Sequence, residues 1–426
     1  MQSNPASGTH RLADNIVSLY ILQGLNYLVP LAVLPYLVRV LGMGGYGILA
    51  FAQSFAQYFT VLTDYGFNYS ATRSIAKTRD DADLVSRHFC SVFVIKLLLM
   101  SVGLVCLLVI ITVVPRFHHN ASFFFVAYLA VIGNVLFPVW FYQGMEKMRY
   151  ISAVIGSSKL LAAIALFIFV HQPQDTLLAL LILSSGTFVG GLIGLVLAFR
   201  HFHLRIQLPS LIDLKDALSE GWHLFVSTAA VSMYTNTNVF LVGLLAGNVE
   251  AGYFSAADKL VRAMQGLIAP ITQAVFPHVS SLAAESKQRA LQFARKTFFW
   301  MGGLTLIPCL LLLALAPWVA LVCFGHAGTP SVPIIRWIAF LPFIIAVSNV
   351  LGVQSMIPFG LDRQFSRILI AAGIFNVFLA WPLIVHFGAV GAGIAVLSTE
   401  CLVTLTMLVV LERHDISIFS QHGISA

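Results

Sequence analysis

FCSVFVIKLLLMSVGLVCLLVIITVV, residues 89–114, holds a single charged side chain, Lys96. About 20 consecutive apolar residues cross the hydrocarbon core of a bilayer as a helix. This stretch therefore reads as a transmembrane helix. Working outward from it, the same reading predicts twelve spans: 16–38, 46–69, 89–114, 122–143, 151–170, 176–199, 219–243, 251–279, 293–316, 333–357, 366–386 and 389–411. The spans at 219–243 and 251–279 carry the most polar residues. The composition agrees, with 59% hydrophobic and only 10% charged residues over 426 positions.

The formal charge of +7 has its cause in topology rather than in affinity for nucleic acid. With twelve spans both termini lie on one side. Of the Lys and Arg residues in loops and at span ends, only Arg39, Arg116 and Arg336 fall on the other side. Basic residues collect in cytoplasmic loops, so both termini are expected in the cytoplasm. Adsorption to anionic lipid is a secondary consequence. The first 15 residues are polar and the apolar run after them is too long for a signal peptide, so no cleaved leader is expected. The five cysteines sit in or beside apolar spans and show no metal or disulfide spacing.

All connecting loops are short, so function must lie between helices. Leu41-Gly42, Gly45-Tyr46 and Ala50 recur as Ala246-Gly247, Gly252-Tyr253 and Ala256. Each set stands between the first and second helix of a six-helix half, which predicts parallel repeats, 1–205 and 206–426, with a site between them. The expected fold is all-α: a polytopic membrane protein with two six-helix bundles around a central cavity.

Charges within the spans point to that cavity. A charge at mid-membrane costs about 2.5–3.5 kcal/mol per residue, so it persists where it meets water, a partner or a ligand. Asp258, Lys259 and Arg262 stand in the eighth span. On a helical projection they share an arc of about 120° with Ser255, Gln265, Gly266 and Gln273, and the opposite face is apolar over most of the helix. In the second span Tyr46, Gln53, Gln57, Thr60 and Asp64 form a tighter stripe. The first span offers Gln23, Asn26 and Tyr27, and the seventh Thr228, Ser232, Thr235 and Asn236. Asp258 and Arg262, four apart, are placed to neutralise each other, which leaves the triplet net positive through Lys259. That pair is either purely structural or part of a binding surface. Asp64 and Lys96 lie at similar depth and read as a buried pair, either a gate or a static brace. Lys159 is expected to snorkel to the cytoplasmic surface. Arg39 either lines the outer mouth or anchors its helix.

Other motifs carry less. His118-His119 and His201-x-His203 lack a third ligand. Gly388-x-x-Gly391-x-Gly393 reads as small-residue helix packing. No nucleophile–base arrangement is present, so no enzyme is expected.

LPYLVRVLG at 34–42, AFAQS at 50–54, DYGFNYSATR at 64–73 and GYFSAADKLVRA at 252–263, followed by Pro270, Phe276 and Pro277, resemble the Wzx-type polysaccharide flippases of the MOP superfamily. GAVGAG at 388–393 with Glu400 fits as well, and the resemblance covers nearly the whole chain. It implies two bundles around a V-shaped cavity in the bacterial inner membrane. It also implies the substrate, an oligosaccharide repeat unit linked through pyrophosphate to undecaprenol and moved to the periplasmic leaflet for O-antigen or a related surface polysaccharide. Membrane lipids, a polysaccharide polymerase and a chain-length regulator are the partners it suggests. No cofactor is expected beyond coupling to H+ or Na+. In agreement with this resemblance, Lys259 and Arg262 are expected to contact phosphate or acidic sugar, with Asp258 beside them balancing Arg262, and Arg39 to help at the periplasmic mouth. Gln53, Gln57, Asn26, Gln23, Asn236 and Gln265 hydrogen-bond glycan, and Asp64 with Lys96 gates or couples. The competing reading is a cation-coupled multidrug exporter of the MATE type. Such sites favour acidic residues, whereas the mid-membrane excess here is basic.

Overall fold

A computed structural model of the chain describes residues 5–266, 275, 279, 281–283, 285–414 and 416, without the side chains of 5–23, 25, 227, 233 and 234. Among the described residues the regular structure is helical, with no strand. The helices are α1 (Pro5–Asp64), α2 (Phe67–Lys77), α3 (Ala82–Val113), α4 (Pro115–His119), α5 (Ala121–Leu136), α6 (Val139–Gly144), α7 (Met148–Phe169) and α8 (Thr176–Phe202). There follow α9 (Leu211–Leu245), α10 (Asn248–Gly266), α11 (Lys287–Phe324), α12 (Ser331–Ile338), α13 (Leu341–Leu351) and α14 (Asp362–Arg413). Eight stretches among the described residues are long and apolar enough to cross a membrane.

Two of these stretches are continuous in hydrogen bonding but broken in direction. Gly42 inside α1 has φ 70°, ψ 170°, and Gly388 inside α14 has φ 57°, ψ −136°. Side chains with a Cβ rarely adopt such angles, so glycine is what lets the chain turn there. The breaks fall between the expected spans 16–38 and 46–69, and between 366–386 and 389–411. The glycine run at 388–393 therefore marks a turn as well as close packing: Gly391 abuts the carbonyl of Leu383 and Gly393 faces Ile338. Two other expected spans are interrupted by proline. The run 122–143 divides into α5 and α6 at Pro138, and 333–357 divides into α12 and α13 just before Pro342. Proline has no N–H to give the carbonyl four residues back and its ring crowds that carbonyl, so a helix does not run smoothly through it. α13 ends in a π-helical turn over Gly352–Met356. Helices α9 and α10 occupy the two polar runs and are not among the eight apolar stretches; residues 267–274 and 276–278 of the expected span 251–279 lie outside the described residues.

The chain divides into two compact units, Met1–Ser232 and Met233–Ala426, the division falling within α9. In the first unit α5 packs closely on α8, and α1 on α5 and α7. The α5–α8 approach depends on small residues: a Cβ at Gly191 would lie 2.3 Å from the Gly133 carbonyl oxygen. An aromatic core of Phe89, Trp140, Phe141, Tyr142 and Phe202 fills the space where α2, α3, α6 and α8 converge. The buried Tyr142 hydroxyl finds its acceptor at the Gly194 carbonyl, 2.6 Å away, as buried hydroxyls require. In the second unit α13 and α14 pack around Leu351, Met356, Ala372, Val403 and Met407.

Candidate functional site

In the second unit, the charged triplet stands in the middle of α10, an amphipathic helix with Ala256, Ala257 and Val261 buried on its apolar face. Asp258 accepts a hydrogen bond from Arg262 Nε at 2.6 Å, forming the i,i+4 ion pair that the spacing predicts. Arg262 Nη2 also donates to the carbonyl oxygen of Thr235 on α9 at 2.5 Å. The guanidinium is thus fixed at two points, by a carboxylate and by a neighbouring helix. Such a fork holds its geometry in a way a lysine ammonium does not. Lys259 is half-buried and engaged in interactions of its own. Gln265 is half-buried one turn beyond Arg262. On α9, Asn236 Nδ2 donates to Thr235 Oγ1 at 3.2 Å.

The same unit contains polar groups that the stripe pattern did not reveal. Asn238 Nδ2 donates to Asn376 Oδ1 at 3.0 Å, and Asn376 Nδ2 donates to Thr399 Oγ1 at 3.1 Å. All three side chains are buried, and the buried Glu400 is next in sequence. This row ties α9 to both limbs of α14. In the sequence only Asn376 stands alone within an apolar run; Asn238 and Thr399 sit in the short polar clusters 235–238 and 398–400. Glu250, in the first turn of α10, accepts the backbone N–H of Ala389 at 2.8 Å. Its carboxylate caps the helical limb that starts after Gly388, where backbone donors lack intrahelical partners.

In the first unit, Lys96 Nζ lies 2.9 Å from Asp64 Oδ1, with side-chain exposures of 2% and 32%. Asp64 is the last residue of α1, where the helix dipole disfavours a carboxylate, and Lys96 compensates it. Gln53 is half-buried and Gln57 exposed one turn on. Tyr46 and Thr60 of the same stripe are buried in protein, so the stripe is not uniformly open. Thr60 turns back to the Ala56 carbonyl of its own helix. Asn26 on α1 accepts a hydrogen bond from Lys159 on α7. Lys159 therefore does not snorkel. It sits midway along α7 among protein-facing residues, where α1 offers a nearer polar partner than the membrane surface. Arg39 is exposed, three residues before the Gly42 turn, and takes part in further interactions. The Gln23 side chain and Gln273 lie outside the described residues.

Beside the membrane-spanning part, α2, α3 and the start of α9 enclose a cleft of about 370 Å³, lined among others by Ser70, Ser74, Arg87, His88, Asp213 and Glu220. Arg87 and Asp213 pair across it through two contacts of 2.8 and 3.0 Å. Hydrogen bonds from Arg87 and from Ser210 hold the Asp213 carboxyl down at about 2. Among the described residues no three His, Cys, Asp or Glu side chains are grouped to hold a metal ion.

Together these features define a class: a polytopic helical membrane protein with polar and charged side chains fastened inside its spans, in the fold of MOP-superfamily transporters. The fold likeness is to an inward-facing multidrug-resistance MATE family transporter of the MOP superfamily, with TM-score 0.70, 14% identity, and coverage of 94% of this chain and 98% of that one. The Lipid II flippase MurJ gives TM-score 0.61 at 11% identity, covering 91% and 88%. The chain belongs to the polysaccharide biosynthesis protein family, whose model matches residues 12–283. It is 35% identical to an Escherichia coli (strain K12) protein over 95% of this chain and 98% of the relative, and 32% identical to a Shigella dysenteriae protein over 93% and 99%. Both relatives bear the name "Putative O-antigen transporter".

Proposed function

We propose that this chain flips undecaprenyl-pyrophosphate-linked oligosaccharide repeat units from the cytoplasmic to the periplasmic leaflet of the bacterial inner membrane, for O-antigen or another surface polysaccharide. In this reading the termini are cytoplasmic and the halves 1–205 and 206–426 alternate access to a basic, polar-lined path. Family membership and the names of the two relatives support it. The observation that carries it is the triplet on α10. Within it Asp258 and Arg262 neutralise each other at 2.6 Å, so the triplet carries one positive charge more than its single carboxylate balances. A diphosphate cannot enter hydrocarbon without a substitute for its hydration; a fixed cation supplies one while the polyprenyl tail stays in lipid.

Lys259 and Arg262 then meet phosphate or acidic sugar, and Arg39 acts at the outer mouth. Asn26, Gln53, Gln57, Asn236, Gln265 and Gln23 serve glycan hydroxyls. Asp64 with Lys96 acts as gate or coupling pair, and H+ or Na+ supplies the drive. A polymerase and a chain-length regulator consume the product. The test is complementation of a flippase-deficient strain by Lys259→Ala and Arg262→Ala variants at wild-type expression. Surface polysaccharide should fall at least several-fold, with Lys259→Ala the cleaner variant because Arg262 also braces α9. Undiminished polysaccharide from both variants refutes the assignment. Unchanged resistance to cationic drugs separates it from an exporter.

A further inference from the structure

Between α8 and α9 the chain runs without regular structure from 203 to 210, yet it is fastened along α3. Arg205 N donates to Ser86 Oγ at 3.1 Å, Gln207 N donates to Cys90 Sγ at 3.4 Å, and that thiol donates to the Arg205 carbonyl at 3.6 Å. Leu204 packs inward. At its two ends the strap is tied by Arg205–Asp83 and Arg87–Asp213 ion pairs. A segment held this way presents fixed side chains. Those on its outer side are Ile206, Leu208, Leu211 and Ile212, exposed by 85, 96, 84 and 71%.

These four do not belong to a membrane-spanning stretch, so lipid-facing helix surface does not account for them. A contiguous apolar cluster on a secured backbone marks a surface with a partner. Depth identifies that partner. Ser86 and Cys90 lie four and eight residues into α3, about 6–12 Å along its axis at 1.5 Å per residue. That is the level where α3 passes from its polar first turns into its apolar run. The exposed face of α8 leads to the same level through Val189, Ile193 and Val196. The exposed cations Arg200 and Lys215 flank the strap on either side, the arrangement that suits a phosphate-bearing headgroup layer.

We propose that residues 204–212 are an interfacial anchor: Ile206, Leu208, Leu211 and Ile212 insert at the headgroup–acyl boundary of the bilayer that α3 and α8 span. The anchor fixes the start of α9 to the membrane plane rather than leaving it in solvent. Short apolar segments with basic flanks lie at this depth in the interface.

The test is nitroxide accessibility in proteoliposomes. Ile206→Cys, Leu208→Cys and, as a control, Lys215→Cys are labelled in a chain whose five native cysteines are replaced, Cys90 by Ser so that its hydrogen bonds to the strap persist. The ratio of oxygen to nickel-chelate accessibility should be several-fold higher at 206 and 208 than at 215. Equal ratios at all three positions, which place the strap in water, overturn the proposal. Exclusion of both reagents, with spin–spin broadening that fades on dilution among unlabelled chains, also overturns it and assigns the surface to a second copy. The unmodified chain gives an independent reading. A lipid carrying a photoreactive group near its headgroup should label the peptide containing 206–212, and labelling confined to the spanning helices overturns the anchor.

Discussion

The Asp64–Lys96 pair makes an asymmetric prediction. Lys96 is 2% exposed and Asp64 is 32% exposed, with 2.9 Å between their charged atoms. Removing one partner of a buried ion pair costs about 3–5 kcal/mol because the other charge is stranded. That figure applies in full only to the member that cannot reach water. Asp64→Asn strands Lys96, so it should cost about 3–5 kcal/mol. Lys96→Met strands Asp64, which water can reach at the end of α1; its cost should fall nearer ~1–2 kcal/mol, the range of a lost charged hydrogen bond. A gap of about 2 kcal/mol is some 30-fold in the folded-to-unfolded ratio. The double variant has no stranded charge and should recover most of what Asp64→Asn loses. The assay is unfolding in mixed micelles titrated with a denaturing detergent, with expression matched. If Lys96→Met proves as costly as Asp64→Asn, or if the two losses simply add, the burial argument is wrong. If the pair is also a gate, Lys96→Met should lower surface polysaccharide delivery by far more than its ~1–2 kcal/mol loss of stability accounts for at matched folded protein.

Two further perturbations follow from named contacts. A Cβ at Gly388 would lie 2.8 Å from Glu250 Oε2, at φ 57°; Gly388→Ala should therefore cost ~1–3 kcal/mol of stability from backbone strain and this clash. Glu250→Ala should cost ~1–2 kcal/mol through the lost cap on Ala389, and Glu250→Gln less because it keeps a carbonyl acceptor. In melting experiments the two losses should be less than additive, since Glu250→Ala opens the space that Gly388→Ala needs. Strict additivity refutes the contact. The Asp213 carboxyl is lowered from 3.8 to about 2 by Arg87 and Ser210, so the folded state favours its charged form. Its contribution is complete above about pH 4 and is lost as pH falls through about 2. The melting difference between parent and Asp213→Asn should accordingly be flat from pH 7 to about 4 and shrink below it. A difference that grows on acidification reverses the sign and refutes the pairing.

The helical membrane fold could be read from apolar run length, because the demand for internal backbone hydrogen bonds leaves few alternatives in lipid. Run length also separated the helices that meet at Gly42 and Gly388; what it could not show was where a span is interrupted within itself. Pro138 and Pro342 interrupt two runs that composition alone treats as continuous. Gly42 and Gly388 turn the chain without interrupting its helical hydrogen bonding. The i,i+4 pair of Asp258 and Arg262 was legible because both partners lie on one helix, where spacing fixes proximity. Partners from different helices have no such periodicity. Lys159 meets Asn26 across 133 positions, and Asn238 meets Asn376 across 138.

That distinction bears on which cation in the spans is available for chemistry. Lys96 is matched to a carboxylate, and Arg262 to a carboxylate and a carbonyl. Their first task is to hold α3 to α1 and α10 to α9, so replacing either confounds stability with transport. Lys159 has an amide acceptor in Asn26 and braces α7 on α1. Lys259 is adjacent to the neutralised Asp258–Arg262 pair on a half-buried surface of α10. The triplet therefore holds two cations against one carboxylate; Arg262 makes the ties to Asp258 and to the Thr235 carbonyl, and Lys259 carries the remaining formal charge. A substitution at Lys259 changes the electrostatics of α10 while keeping both partners of the Asp258–Arg262–Thr235 brace. For that reason Lys259→Ala, rather than the more conspicuous arginine, is the variant whose transport phenotype speaks to substrate charge.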